Sequence, residues 1–333
     1  MRQTHESLTA EIVDRRPLGA GGASGNKLER VTLRDGRELV LKRVSPQWDW
    51  ISRATNDRGR IVSMWTDGII ERLPPVIDHA TVAVEAGDDG SWSVFMTDVS
   101  DVLMHDGEQL DRARLERLVG ALAALHATFW EESFPALCSL EERYNLLSPE
   151  TGRREAEEGD TWVGNTIAGC WELFPKLVPA DIGDAILKLA EQPQPLADEL
   201  RKCSQTLVHG DVRLANLGFT DERVVLVDWG ERTGTAPAAV DLASFLVFEG
   251  SVIHAPYDDV IELFRAYSGD RHDERALQLA LIGGLVQLGP NFALEIVIAR
   301  DEAKRAAAQA ASETALSWWI PTIDKALQAW SPI

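Results

Sequence analysis

The sequence predicts an α+β protein of two lobes: a small antiparallel β-sheet with one helix, followed by a larger and mainly helical part. Three observations support this prediction. Apolar residues alternate through much of the first hundred positions, which is the period of half-buried strands. From about residue 108 the apolar residues follow the helical period instead, and only residues 207–230 interrupt that part with β-branched, strand-like runs.

The N-terminal strands are predicted from alternating segments separated by turn signals. The alternating segments are 11–18, 28–44 and 81–99. Asp35-Gly36 divides the second segment into a hairpin, because glycine tolerates positive φ in tight turns. Residues 87–90, which begin and end with glycine, divide the third segment in the same way. The polar residues 48–68 between these strands are predicted to hold the helix.

The C-terminal part is predicted to be helical from its apolar periodicity. A helix follows Asp111, a residue type that caps helix N-termini. The other segments predicted to be mainly helical are 183–201, 258–268, 274–287, 292–309 and 312–329. The most apolar run, 279–299, is interrupted by Gly289-Pro290, which predicts two buried helices rather than a membrane span. Residues 148–161 are predicted to form a polar loop.

The net charge of −20 is placed unevenly along the chain. Residues 1–98 hold 13 basic and 15 acidic residues, a net charge of −2, whereas the other 235 residues hold 20 basic and 38 acidic, a net charge of −18. Such an acidic region repels polyanions and excludes nucleic-acid binding through phosphate contacts. It would attract a cationic small molecule, although the same acids also serve simply to keep a surface solvated.

A cytoplasmic location and no membrane partner are expected from cysteine usage and from the N-terminal sequence. The opening MRQTHESLTAEIV has no basic region followed by an apolar core, so it does not resemble an export signal. The three cysteines are too few and too scattered for a disulfide framework or a zinc site, which is typical of a reducing compartment. These cysteines are Cys138, Cys170 and Cys203.

A glycine-rich segment and a strand lysine form the first candidate site. The segment LGAGGASGN (18–26) lies between two predicted strands, where small residues let backbone N–H groups approach a polyphosphate and Ser24 adds a hydroxyl donor. Lys42 lies on the next strand. Glycine-rich turns are most often plain loops, and a strand lysine often faces water, so each feature alone is weak evidence.

The stretch LVHGDVRLANLGFTDERVVLVDWG (207–230) carries the sharper pattern. Asp211 is followed five residues later by Asn216, and Asp228 ends an apolar run twelve residues further on. An aspartate can take a hydroxyl proton, while a carboxamide and a second carboxylate can ligate a divalent metal. Turn residues at hairpin ends are the alternative for each motif alone. The ordered combination with the upstream glycines and lysine favours phosphoryl transfer.

These ordered motifs resemble the aminoglycoside phosphotransferase family, a small-molecule branch of the protein-kinase-like fold. The resemblance covers nearly the whole chain through GGASGNKLERVTLRDGRELVLKR, SVFMTDV, LAALH, VHGDVRLANLGF, VVLVDWG and AAVDLASFL. It implies a nucleotide-binding lobe over 1–98 and a catalytic and substrate-binding helical lobe over 99–333. The hinge between them is expected at about 96–100.

The resemblance also assigns expected roles to individual residues. Asp211 is the implied catalytic aspartate, and Asn216 and Asp228 are the implied magnesium ligands. The residues implied to bind the nucleotide are Lys42 at the α/β-phosphates, Ser24 and Gly25 at the β/γ-phosphates, and Met96, Thr97 and Val99 at the adenine. The residues implied to support the loop are His209, Asp241 and His126.

Three departures from the family pattern bear on these expectations. No clear glutamate follows the strand as partner for Lys42, and the shorter Asp57 is the candidate offered by TNDRGRIVSMW. Glu231 extends the metal motif as DWGE and is a candidate substrate contact. Asp241 follows Asp228 by only 13 positions, which leaves little room for an activation loop and favours small substrates over proteins.

The predicted function is therefore phosphorylation of a small-molecule hydroxyl with Mg²⁺ and ATP, or GTP as the alternative nucleotide. The resemblance favours an antibiotic as acceptor, either an aminoglycoside or a nucleoside- or sugar-containing compound. A housekeeping kinase of an amino sugar or metabolite and a nucleotide-binding pseudokinase are the alternatives. Eleven tryptophans, Trp162 among them, could stack on a sugar or base, but tryptophans are more often core residues.

Overall fold

The computed structural model of the chain describes residues 7–18, 24–105, 107–250 and 252–330. The strands are β1 (Ile12–Pro17), β2 (Lys27–Leu33), β3 (Glu38–Val44), β4 (Ile77–Asp78), β5 (Thr81–Ala86), β6 (Trp92–Met96), β7 (Thr206–Val208), β8 (Leu217–Phe219), β9 (Val224–Leu226) and β10 (Gly234–Ala236). The helices are α1 (Trp50–Ala54), α2 (Arg60–Thr66), α3 (Arg112–Thr128), α4 (Leu140–Tyr144), α5 (Pro149–Glu158), α6 (Thr161–Leu177), α7 (Ala180–Glu191), α8 (Gln194–Arg201), α9 (Ala239–Glu249), α10 (Tyr257–Ser268), α11 (Glu274–Leu288), α12 (Asn291–Ile298) and α13 (Glu302–Trp330).

The N-terminal part forms an antiparallel sheet of five strands in the order β1-β2-β3-β6-β5. This confirms the predicted α+β architecture, with an N-terminal antiparallel sheet and a mainly helical C-terminal part. The predicted hairpin turn is also confirmed: Gly36 has φ of +86°, and the Asp35 carboxylate accepts a hydrogen bond from the N–H of Arg37 at 3.0 Å.

The two faces of strand β3 have different neighbours, which directs Lys42 into the molecule. Leu39 and Leu41 join a small buried cluster with Val31 on one face of the sheet. Successive strand residues point to opposite faces, so Val40 and Lys42 lie on the other face, where both line a large cavity.

The C-terminal helices pack around one extended hydrophobic core. Helix α3 begins where the sequence predicts it, because the Asp111 carboxylate accepts a hydrogen bond from the N–H of Arg114 at 2.8 Å. Residues 274–298 form a stretch that is long and apolar enough to cross a membrane by length and composition alone. Within it, 72% of the apolar 18-residue window is buried inside the protein. As predicted, this stretch is two helices, α11 and α12, separated at Gly289-Pro290.

The prediction of a polar loop over 148–161 is wrong, because residues 149–158 form helix α5. The Ser148 hydroxyl accepts a hydrogen bond from the N–H of Thr151 at 3.1 Å, and Pro149 stands in the first turn, where proline is well tolerated. Polar residues predominate in α5, yet Glu155 is fully buried and forms an ion pair with Arg53. Helices α6 and α9 and strand β10 were not predicted either, and the helix predicted over 292–309 is broken at residues 299–301.

Two small sheets connect the distant parts of the chain. Strand β4 pairs in parallel with β9, which also pairs with β8, and β7 pairs with β10. The chain from β4 therefore meets the 207–230 stretch directly. The division into lobes at residues 98 and 99 stays a prediction.

Candidate active site

A cavity of about 630 Å³ lies between the five-stranded sheet and the C-terminal helices. The sequence-predicted site residues that line it are Ser24, Lys42, Met96, Thr97, Val99, Asn216, Asp228 and Glu231. Residues from five separate segments therefore meet at one cavity, although up to 207 positions separate them in the sequence.

The loop that follows β7 is fixed by hydrogen bonds to a buried carboxylate, that of Asp241. Asp241, on α9, accepts hydrogen bonds from the N–H groups of His209 at 2.9 Å and Gly210 at 2.7 Å. Nε2 of His126 lies 3.0 Å from the same carboxylate. Burial raises the pKa of Asp241, but the hydrogen bond and charge of His126, with smaller contributions from His209 and Gly210, more than offset it. The pKa of Asp241 therefore lies below its usual value.

His209 and Gly210 fix the shape of this loop. Nε2 of His209 donates to the carbonyl of Val227 at 3.0 Å, while its Nδ1 accepts from the N–H of Asp211 at 3.2 Å. Burial lowers the pKa of His209, against the opposing charges of nearby aspartates. Gly210 has φ of +83°, and any Cβ there would overlap the carbonyl oxygen of Arg232, so the position requires glycine.

The short β8–β9 hairpin brings the two predicted metal ligands together. Its register pairs Leu217 with Leu226, and the N–H of Val227 donates to the carbonyl of Asn216 at 3.0 Å. Asn216 is therefore adjacent to the segment that carries Asp228. Asp228 has φ of +69°, a conformation that a non-glycine residue rarely adopts and that often marks a functional position.

The donor set at this hairpin suits magnesium. Nδ2 of Asn216 donates to the main-chain carbonyl and carboxylate of Asp211 at 3.0 and 2.8 Å, and its side-chain oxygen Oδ1 accepts no hydrogen bond from the described residues. Magnesium prefers oxygen ligands and takes one or two carboxylates together with phosphates and water. No cluster of three His, Cys, Asp or Glu residues in the described ranges could hold a metal, so phosphate and water would complete the coordination.

Lys42 is held between two carboxylates at the centre of the cavity. Its Nζ forms ion pairs with Asp228 Oδ1 and with Glu231 Oε1, the latter at 2.9 Å. Burial lowers the pKa of Lys42, but the two negative charges outweigh it, so the pKa lies above its usual value. Burial also raises the pKa of Glu231 to about 7, although the charge of Lys42 opposes this shift.

The prediction that Asp57 pairs with Lys42 is corrected by these contacts. Asp57 Oδ1 accepts hydrogen bonds from the N–H groups of Gly59 and Arg60, both at 2.8 Å, and so caps the start of α2. Glu231, which the sequence offered as a substrate contact, supplies the acid instead and also accepts a hydrogen bond from Asn26 at 3.0 Å.

The assignment of Glu231 rather than Asp57 as the partner of Lys42 is testable by substitution. We expect Glu231→Gln to raise the KM for ATP about tenfold, because the loss of a buried charge-assisted hydrogen bond leaves Lys42 dependent on Asp228 alone. We expect Asp57→Ala to leave that KM unchanged and to lower the free energy of unfolding by about 1 kcal/mol through loss of a helix cap. Steady-state kinetics and urea unfolding of both variants measure these effects. The reverse pattern would restore Asp57 as the partner of Lys42.

The glycine-rich loop and the predicted hinge flank Lys42. Gly25 has φ of +96°, and a Cβ there would overlap the carbonyl of Trp48. Its neighbour Ser24 lines the cavity, and the Ser24 side chain hydrogen-bonds to Asp49. Residues 19–23 of the loop lie outside the described residues. At the hinge, the carbonyl of Thr97 and the N–H of Val99 form no backbone hydrogen bond with the residues that the structure describes. Their predicted contacts with the nucleotide stay predictions.

The sequence interpretation missed three arginines around Asp211. Arg232 forms an ion pair with Asp211 Oδ2, and Nε of Arg213 lies 3.4 Å from Oδ1. Arg143, which is fully buried, donates to the carbonyls of Gly210 and Arg232. Arg213 and Arg232 stand next to motif residues and could have been considered. Arg143 is 67 or more positions from its partners, and no sequence signal marks it.

The two carboxylate oxygens of Asp211 have different surroundings. Asp211 is 3% exposed, and its Oδ2 is bound by Arg232 and Asn216. No hydrogen bond from the described residues reaches the buried Oδ1. Asp211 does not line the cavity itself but contacts three residues that do, Arg213, Asn216 and Arg232. Since buried polar atoms are almost always hydrogen-bonded, Oδ1 can still accept a hydrogen bond from a hydroxyl donor.

The fold and this cavity define a small-molecule phosphotransferase of the protein-kinase-like class. The profile of the Phosphotransferase enzyme family, APH, matches residues 16–277, and the chain belongs to this family. Members phosphorylate hydroxyl groups of small molecules and generally use ATP with a divalent metal. No curated relative matches the chain.

Solved structures show the likeness at the level of the fold. A choline kinase from Streptococcus pneumoniae is 13% identical, with 93% of this chain and 95% of that chain covered and a TM-score of 0.52. A choline kinase from Cryptosporidium parvum is 11% identical, with 98% and 92% covered and a TM-score of 0.50. An aminoglycoside phosphotransferase from Streptomyces rimosus, solved with ADP and streptomycin, is 17% identical, with 80% and 94% covered and a TM-score of 0.48.

Proposed function

We propose that this protein transfers the γ-phosphoryl group of ATP to a hydroxyl group of a small molecule in a magnesium-dependent reaction. The observation that carries the proposal is Oδ1 of Asp211, which accepts no hydrogen bond from the described residues and belongs to a side chain that contacts the cavity-lining Arg213, Asn216 and Arg232. A proton acceptor and phosphate-binding groups at one place are what phosphoryl transfer to an alcohol requires.

The nucleotide is positioned by the sheet side of the cavity. The free carbonyl of Thr97 and N–H of Val99 suit the edge of an adenine, and Lys42 lies further along the same cavity to contact the phosphates. A magnesium ion held by Asp228 and Asn216 would offset the phosphate charge when bound. Lys42 would exchange part of its contact with Asp228 for the phosphates, while Glu231 keeps it oriented.

Transfer itself requires little covalent chemistry from the protein. The acceptor oxygen forms a bond to the γ-phosphorus while the bond from that phosphorus to the β–γ bridging oxygen breaks, and ADP leaves. Asp211 orients the hydroxyl and takes its proton at Oδ1 late in the reaction. Arg213, 3.4 Å from that oxygen, stabilises the negative charge that spreads over the transferring group.

An antibiotic acceptor is the first candidate, on the motif resemblance to aminoglycoside phosphotransferases, and resistance would be the role. A metabolite acceptor is the second candidate, because the described part of the cavity has no group of free carboxylates that would bind a polycation. A pseudokinase is disfavoured because the full catalytic and metal-binding set is present. We place the reaction in the cytoplasm, in keeping with three cysteines that are free and buried.

The proposed function predicts Mg²⁺-dependent ADP release that requires an acceptor. Purified protein with ATP and a panel of aminoglycosides, amino sugars, nucleosides and uncharged alcohols would be measured in a coupled ADP assay, with and without EDTA. We expect Asp228→Ala to abolish the release, because it removes the one carboxylate of the metal site. ATP turnover that persists in EDTA or in this variant would contradict the assignment, and binding of ATP without turnover on any acceptor would favour the pseudokinase.

A further inference from the structure

The cavity extends beyond the predicted nucleotide site into a chamber with apolar walls. The carbonyl of Ser24 accepts a hydrogen bond from the N–H of Trp50 at 3.1 Å, so the phosphate end of the glycine-rich loop touches α1. From there the lining continues onto the segment after α4 and onto helices α6 and α12. The apolar residues of this chamber are Ile51, Leu146, Leu147, Val163, Ile167 and Leu294. We refer to this part as the acceptor chamber.

The charged residues that line the described part of the cavity all have ion-pair partners. Arg30 pairs with Asp98 near the hinge, and Lys42 binds Asp228 and Glu231. The remaining charged lining residues are Arg213 and Arg232, both beside Asp211. Within the described ranges, α5, α6 and α12 contribute no carboxylate to the lining.

The acidic residues that give the part beyond residue 98 its net charge of −18 therefore do not line the described part of the acceptor chamber. Glu172 on α6 and Glu295 on α12 are exposed to solvent rather than turned to the cavity. A polycationic acceptor would meet the guanidinium groups of Arg213 and Arg232 in the cavity lining, and no carboxylate among the described residues of the acceptor chamber would receive its charges. A buried ammonium group without a partner is strongly unfavourable. An uncharged apolar body would gain by leaving water.

A tryptophan at the edge of the acceptor chamber supports the same conclusion. Trp162, on the first turn of α6, lines the cavity and is 66% exposed. It has the largest exposed fraction among the large apolar residues that the structure describes. An apolar substrate in the chamber would cover this ring, and aromatic faces pack well on apolar rings.

We propose that the acceptor is an uncharged alcohol with a largely apolar, ring-containing body, not a polycationic amino sugar. This inference rests on the proposed phosphotransferase function. The reactive hydroxyl points to Asp211, the body lies against the apolar walls of α6 and α12, and the outer edge contacts Trp162. The acidic surface of the protein serves solubility and does not recruit the acceptor.

The test compares two uncharged acceptors with one polycationic acceptor in the coupled ADP assay, and mass spectrometry verifies that the product is phosphorylated. The uncharged acceptors are 2-phenylethanol and a hydroxysteroid, and the polycation is kanamycin. We expect kcat/KM for the better uncharged alcohol to exceed that for kanamycin by at least about tenfold, within the range that hydrophobic pockets discriminate. The KM for the uncharged acceptor should not change from low to high salt, because salt screens attraction between charges and this acceptor carries none.

Two variants test the acceptor chamber itself. Asn291→Asp keeps the shape of a cavity-lining side chain at the start of α12 and adds one carboxylate, so we expect it to narrow the preference for uncharged alcohols by several-fold. Trp162→Ala should raise the KM of the apolar acceptor about three- to tenfold, the contribution of an aromatic contact. The KM for ATP should not change in either. Glu295→Gln, an exposed change on the same helix, is the control.

The outcomes separate this inference from the function on which it rests. Kanamycin phosphorylated faster than the uncharged alcohols, or unchanged acceptor kinetics in both variants, would overturn the apolar-acceptor inference and leave the phosphotransferase intact. No Mg²⁺-dependent ADP release with any acceptor, despite ATP binding, would instead overturn the proposed function.

Discussion

Asp211→Asn is expected to lower kcat by about 10³-fold, the contribution typical of a positioned general base. The substitution removes the carboxylate whose Oδ1 accepts no hydrogen bond from the described residues and leaves the hydrogen bond between Asn216 and the main-chain carbonyl at 211 in place. Because Lys42 and Asp228 do not contact residue 211 through its side chain, ATP binding should change little. Single-turnover kinetics and ATP titration by calorimetry measure the two effects separately.

A matched control for this variant is Asp221→Asn. Asp221 is exposed in the turn between β8 and β9, on the same hairpin region, and we expect wild-type kinetics from it. Because Arg232 loses its ion-pair partner in the Asp211 variant, thermal unfolding of that variant must show that the protein is still folded. A kcat within a few-fold of wild type in a folded Asp211→Asn protein would rule out Asp211 as the proton acceptor.

Asp241→Asn is expected to lower the free energy of unfolding by about 3 kcal/mol, as for other buried charged hydrogen-bond acceptors that lose a partner. The carboxylate serves His209, Gly210 and His126, and an amide can present only one oxygen to these donors. Asp198→Asn, at an aspartate that is 54% exposed in its pair with Arg201, should change stability by less than about 0.5 kcal/mol. Urea unfolding of both variants tests the difference.

The same aspartate gives an expected pH dependence. The pKa of Asp241 in the folded protein lies below its ordinary value of 3.8, so the unfolded chain binds a proton first as the pH falls. The stability that Asp241 contributes is thus full above that value and is lost as the pH falls through the folded-state pKa. The gap in unfolding free energy between wild type and Asp241→Asn should shrink in acid. A gap that stays constant in acid would argue against this linkage.

Local patterns accounted for much of the fold. The strands around Asp35-Gly36, the helix that begins after Asp111 and the helix break at Gly289-Pro290 all follow from residues close together in sequence. The helix at 149–158 was missed because its surface is polar and its buried contact, Glu155 with Arg53, is made across 102 positions. Periodicity cannot indicate burial that a distant charged partner makes possible.

The sequence by itself determined the reaction class, because Asp211, Asn216 and Asp228 lie on one short loop and hairpin where chain spacing dictates proximity. Only the tertiary structure decided which carboxylate holds Lys42, since Glu231 is 189 positions away and the nearer Asp57 is committed to capping α2. It also decided that the acidic surface and the apolar acceptor chamber are separate. Net charge counts residues along the chain, whereas a substrate meets only those side chains that the fold turns toward it.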